Sequence, residues 1–121
     1  MIIKNLKNII SNGEGLTLEF KESHSKVNSD VYQSICAFLN RNGGRVILGV
    51  KDDCSITGIK VEALEQMKKD LVTSLNNPQK INPPLYILPE EIEIDGKRLL
   101  LLDIPESSQV HRCNNRIYDR N

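Results

Sequence analysis

The sequence predicts an α+β fold: a mixed β-sheet with two helices packed on it, in the order β-α-β-β-α-β-β. Three observations carry this reading. Leu16, Leu18 and Phe20 alternate with Thr17, Glu19 and Lys21, the period of a half-buried strand. A helical apolar pattern from Val31 to Leu39 runs into Asn42-Gly43-Gly44 and then into an apolar stretch, residues 46–50. Asp95-Gly96 separates two strand-like segments, a strong hairpin signal. At 121 residues the chain is long enough for one domain with a proper core and too short for two.

Taken in order, residues 4–12 fit a short leading helix with Leu6, Ile9 and Ile10 on one side, which Ser11-Asn12-Gly13 breaks. In the first strand Glu19 points away from the face that Leu18 and Phe20 bury. Polar residues 22–28 form a loop. Asn28 or Ser29 caps a helix whose apolar positions are Val31, Ile35, Ala37, Phe38 and Leu39. Asn42-Gly43-Gly44 ends that helix, glycine permitting the left-handed C-terminal geometry. Residues 46–50 are almost unbroken apolar, so this strand is central and covered on both faces; Gly49 inside it marks close backbone packing or a bulge. Residues 51–55 form a turn and residues 56–59 a short returning strand. A second helix spans residues 61–76, with Leu64, Met67, Leu71, Val72 and Leu75 inward and Glu62, Glu65, Lys68 and Lys69 outward. Asn76-Asn77-Pro78 stops it, and Asn82-Pro83-Pro84 makes a stiff extended connection. Strands near residues 86–94 and 98–104 form the hairpin, Pro105 closes the second, and Arg116-Ile117-Tyr118 begins an edge strand.

Composition narrows the function classes. Sixteen basic and 16 acidic residues balance, so there is no global pull toward nucleic acid. The distribution is uneven: residues 1–51 carry a net charge of +3, residues 52–106 carry −5, and the last 15 carry +2. A nucleic-acid face would therefore draw on the two terminal thirds. Three cysteines without a CxxC pair argue against a disulfide framework and against zinc, and Cys36 reads as a small hydrophobe in its helix. No run approaches membrane-spanning length and no leader pattern opens the chain, so the expectation is a cytoplasmic protein with no membrane partner. The ending at Asn121 reads as a domain cut from a longer protein. No GxxxxGK[ST] occurs, and Gly43-Gly44 lies between a helix and a following strand, the reverse of the order that aims a helix N-terminus at phosphate. His24 and His111 lack partners at catalytic spacing; His24 reads as a loop residue and His111 as an addition to a basic cluster with Arg112 and Arg116. Two Phe, three Tyr and no Trp make a poor base-stacking platform.

The chemically suggestive acids are Glu14, Glu19 and the Asp52-Asp53 pair. Glu14 and Glu19 flank or lie on the first strand, and Asp52-Asp53 follow the end of the central one. If those strands are neighbours, three carboxylates converge on one divalent cation, and such oxygen ligation suits magnesium or manganese. The alternative is a solvated strand edge plus an Asp-rich turn held by local hydrogen bonds.

These residues together resemble the Schlafen/Alba-type DNA-binding domain of microbial regulators and animal Schlafen proteins. The resemblance rests on Glu19-Phe20-Lys21, Ala37-Phe38-Leu39-Asn40, Gly43-Gly44, Leu48-Gly49-Val50, Asp52-Asp53, Gly58, Asn82-Pro83, residues 98–104 and Arg116-Ile117-Tyr118. It covers Glu14 to about Tyr118 and implies an Alba-like sheet. It also implies two functions. In most microbial members the domain is the nucleic-acid-binding module of a transcriptional regulator, and further domains follow it, often a winged helix. In some Schlafen proteins a similar fold cleaves structured RNA with two glutamates and an aspartate, which fall here on Glu14, Glu19 and Asp52. Lys51 departs from that pattern, since many relatives carry an acid directly after the Gly-Val pair. Those nucleases also use two such lobes, so a homodimer would have to supply the second. The resulting expectation is a DNA-binding module of a transcriptional regulator without a cofactor. Its phosphate-contact residues are Lys21, Lys26, Arg41, Arg45, Lys51, Arg112, Arg116 and Arg120. A metal-dependent endoribonuclease using magnesium or manganese is the alternative.

Overall fold

A strand that is apolar on both sides needs cover on both faces, and the computed structural model, which describes residues 5–120, supplies it. The elements are α1 (Leu6–Ser11), β1 (Leu18–Lys21), α2 (Ser29–Leu39), β2 (Gly44–Leu48), α3 (Leu64–Leu75), β3 (Ile81–Asn82), β4 (Glu90–Ile94), β5 (Lys97–Ile104), β6 (Arg112–Cys113) and β7 (Arg116–Ile117). Lys4, the first residue of the expected leading helix, lies outside the described residues. The main sheet has the order β1-β2-β5-β4, with β1 parallel to β2 and the other neighbours antiparallel. On one face, Val46, Leu48, Leu100 and Leu102 pack with Ile35, Phe38 and Leu39 of α2 and Met67, Leu71 and Leu75 of α3. On the other, Ile47, Leu99 and Leu101 pack with Phe20 and with Leu6 and Ile10 of α1. Alternation along β2 and β5 therefore feeds two cores, which is why both strands read as continuous apolar runs.

Most expectations hold with shifted boundaries. The hairpin turns on Asp95 and Gly96, both at positive φ (51° and 79°) as a two-residue primed turn requires. Gly49 is a bulge: its N–H and that of Val50 both donate to the Lys21 carbonyl, at 2.8 and 3.3 Å. Other expectations are corrected. Residues 56–59 form only an isolated bridge, Val50 to Ile56, because the chain turns away after Gly58 at φ 77°. Asn28 takes the N-cap position of α2, but its side chain makes no capping hydrogen bond. The second helix begins as a 3-10 turn, Val61–Ala63, and residues 86–89 carry no strand pairing, so β4 starts only at Glu90. A second sheet, order β3-β6-β7, was not expected beyond its last strand. No helix among the described residues is long and apolar enough to cross a membrane.

Candidate functional site

β1 is an edge strand, and its outward N–H groups need partners. A tight turn, closed by the Gly15 N–H to the Leu18 carbonyl at 3.1 Å, brings Glu14 back along that edge. There its Oε2 accepts the Phe20 N–H at 2.8 Å. The parallel pairing of β1 with β2 puts the turn after β2 at the same end of the sheet. Glu14, Glu19, Lys21, Asp30, Lys51 and Asp52 thus line one pocket of about 620 Å³. The carboxyl of Glu14 is pushed above its usual 4.5 by desolvation, although the residue as a whole stays exposed; the nearby Glu19 and Asp52 carboxylates add to the shift, and the Phe20 N–H opposes it. Asp53 serves its own turn: its Oδ1 accepts the Ser55 N–H at 2.9 Å, and hydrogen bonding from Ser55 lowers its pKa.

Glu19 is already neutralised. Arg120 Nη1 donates to Glu19 Oε1 at 2.6 Å, Nη2 donates to the Gly15 carbonyl at 2.6 Å, and the guanidinium stacks 4.3 Å from the Phe38 ring centroid. Lys21 Nζ lies 3.7 Å from Glu19 and 3.2 Å from Asp30. Among the described residues no three acidic, His or Cys side chains are arranged to hold a metal ion. Strand neighbourhood does bring the three acids together, but a guanidinium stands where a divalent cation would need Glu19. As arranged, these residues do not fit magnesium or manganese, and no metal-assisted step follows from them.

The eight cations expected at phosphate divide into two groups. Arg120 faces inward as described, and Lys21 is held by Glu19 and Asp30. Arg41 makes a two-pronged pair with Asp119 at 2.8 and 2.9 Å, and Arg45 pairs across the sheet with Asp103 at 3.0 Å. Lys26, Lys51, Arg112 and Arg116 are exposed and make no ion pair among the described residues. Lys80, which the sequence reading passed over, belongs with them: it is exposed beside β3, its carbonyl accepts the Asn114 N–H at 2.9 Å, and its Nζ lies 6.0 Å from the Tyr32 ring centroid. Its position next to Ile81-Asn82 was the available signal.

His111 does not join the basic cluster. It is buried beneath the small sheet, where its Nδ1–H donates to the Pro83 carbonyl and its Nε2 hydrogen-bonds the Ser107 hydroxyl, each at 2.7 Å. Asn40 at the end of α2 ties the same residue down. Its Oδ1 accepts the His111 N–H at 2.7 Å, and its Nδ2 donates to the carbonyls of His111 and Tyr118 at 2.9 and 2.8 Å. The small sheet is thus pinned to α2 through a half-buried amide.

The family model described as Schlafen, AlbA_2 matches residues 14–121. The chain belongs to this family. Over 99 residues it is 39% identical to an uncharacterized ATP-binding protein from Ureaplasma parvum, an alignment covering 75% of this chain and 28% of that protein. The chain therefore spans little more than a quarter of that relative's length. By fold it resembles the DIP2311 protein from Corynebacterium diphtheriae, with a TM-score of 0.69, 14% identity, and coverage of 99% of this chain and 28% of that one. It also resembles the N-terminal domain of an ATP-dependent DNA helicase RecG-related protein from Nitrosomonas europaea, with a TM-score of 0.63, 20% identity, and coverage of 84% and 71%. At these identities the two structures show the fold.

In this AlbA_2 domain the raised Glu14 pKa has a consequence for stability. The folded chain holds the Glu14 proton more tightly than the unfolded chain does. The corresponding stabilisation is full below the usual carboxylate pKa and is lost as pH rises through the raised value. Glu14→Gln keeps an acceptor for the Phe20 N–H and removes the charge. Its melting temperature is expected above the parent's at pH 7, with the difference closing below about pH 4. Melting curves across that range check this, and a lower melting temperature at pH 7 would contradict it.

Proposed function

We propose that the domain is a cytoplasmic nucleic-acid-binding module, with DNA its ligand, in a transcriptional regulator. One observation supports this reading most: Lys80, Arg112 and Arg116, exposed around the small sheet, make no ion pair among the described residues. Lys26 adjoins them, preceding a Val27 that lines one small pocket with Lys80, Cys113 and Asn114. Cations without carboxylate partners remain free to displace counterions from a phosphate backbone. The DNA helicase name of a fold neighbour agrees with this reading. A metal-dependent endoribonuclease is the second reading, favoured by Glu14, Glu19 and Asp52 sharing a pocket. The Arg120–Glu19 pair weighs against it.

Duplex binding followed by fluorescence anisotropy at several salt concentrations tests the proposal. Affinity is expected to fall steeply with salt. Lys80→Ala with Arg116→Ala should flatten the logarithmic salt slope by about two, one for each lost phosphate contact. Arg41→Ala with Arg45→Ala should change it less, because Asp119 and Asp103 already neutralise those side chains. Binding that ignores salt, or that survives the first pair of substitutions and fails with the second, would refute this assignment.

A further inference from the structure

β6 and β7 form a two-stranded ribbon closed by Asn114 and Asn115, both at positive φ (50° and 68°), the geometry of a two-residue primed turn. Antiparallel register puts directly opposed residues on the same face. One face carries Ile81, Cys113 and Arg116 in register: Ile81 and Cys113, buried at 0% and 1% exposure, anchor the small sheet to the core, and Arg116 is exposed at the free β7 edge of that face. The other face therefore points to solvent. Its row runs Asn82, Arg112, Ile117, all opposed in register and all exposed. Val110, two residues before Arg112, is also exposed and extends the apolar part of the surface. An exposed isoleucine thus stands beside an exposed arginine that makes no ion pair among the described residues.

Resting on the DNA-binding reading above, we infer that this face of the β6–β7 ribbon reads base edges in the major groove of duplex DNA. Lys80 takes a phosphate beside the row, and Arg116, on the opposite face of the edge strand β7, reaches one around that edge. The chemistry of the row is that of direct readout. An arginine matches the O6 and N7 acceptors of guanine, an asparagine matches adenine N6 and N7, and apolar Ile117 and Val110 match the thymine methyl. The row crosses three strands about 4.8 Å apart and so spans roughly 10 Å, within a major groove about 12 Å wide. The row contains no acid to repel the duplex. Other nucleic acids fit less well. The major groove of A-form RNA is too narrow for side chains to read. Single strands are held by stacking on aromatics, whereas both phenylalanines are buried and none of the row is aromatic. The ribbon is also held as a reader must be, through the Asn40–His111 bonds and the Cys36 thiol donating to the His111 carbonyl at 3.1 Å.

The test is selection of preferred sites from a randomised duplex library, followed by affinity measurements on the selected duplex and on a scrambled one. The chain is expected to select a short motif. Arg112→Ala should reduce the preference for the selected duplex by roughly tenfold to a hundredfold while leaving scrambled-duplex affinity nearly unchanged. Ile117→Ser should relax a neighbouring position, and Lys80→Ala should weaken both duplexes equally. Arg112 and Ile117 are exposed, so folded variants are expected, and circular dichroism confirms that. If the parent binds duplexes without preference, or if Arg112→Ala weakens all of them alike, the base-reading inference fails while DNA binding stands. Tighter binding to RNA than to DNA also overturns it. No binding to any nucleic acid overturns both.

Discussion

Gly43→Val is expected to unfold the domain well below the parent's melting temperature. α2 ends at Leu39, and the Gly43 N–H returns to the Phe38 carbonyl at 2.8 Å with Gly43 at φ 75°. A β-branched side chain is badly strained there. Space is lacking as well: a Cβ would sit 2.6 Å from the Ile104 carbonyl oxygen and 2.9 Å from the Glu106 nitrogen, and backbone atoms cannot swing aside. Strain and overlap together should cost about 4 kcal/mol or more, a large fraction of a domain's usual stability. Urea and thermal unfolding measure it. A variant as stable as the parent would mean that the helix end and β5 do not meet as described.

Asn40→Ala is expected to loosen the small sheet before the main one. Removing the amide leaves the His111 N–H without its partner and takes one donor each from the His111 and Tyr118 carbonyls. Buried groups stripped of partners cost about 1–3 kcal/mol each, so a total near 3 kcal/mol and a melting temperature lower by about 10 °C are expected. Hydrogen exchange separates this from general destabilisation. Amides of residues 111–118 should lose protection first, while those of β2 and β5 keep theirs until global unfolding. Uniform loss across both sheets would show that the small sheet is not held through Asn40. DNA preference should fall with ribbon protection, because a reading surface needs fixed side chains.

The acid trio was legible from sequence only conditionally: its convergence needed one tertiary fact, that β1 and β2 are neighbours, which the parallel pairing supplies. Partnership was not legible. Arg120 looked like a free cation, but its carboxylate lies 101 residues earlier in the chain, and only the closed fold brings them together. Arg41, Arg45 and Lys21 likewise each find an acid across a strand or a helix end, which the sequence did not show. His111 looked basic because Arg112 follows it, whereas burial makes it a hydrogen-bonded strut. Of the ribbon only β7 was expected; β6 escaped notice because a two-residue strand shows no period, although the Asn114-Asn115 pair, tolerant of positive φ, was a local hint of the turn.

What the sequence by itself determined is the set of elements whose signal is periodic and local: β1, α2, β2, α3 and the hairpin at Asp95-Gly96. Alternation and helical spacing are properties of neighbouring residues, and burial of the resulting faces leaves few ways to stack them. Only the tertiary structure decided which charges remain free. Charge pairing depends on distances between segments far apart in the chain, and Coulomb energy at a protein surface changes by kilocalories over a few ångströms. The same residue type is therefore a clamp at Arg120, a strand-edge pair at Arg45 and an open cation at Arg112.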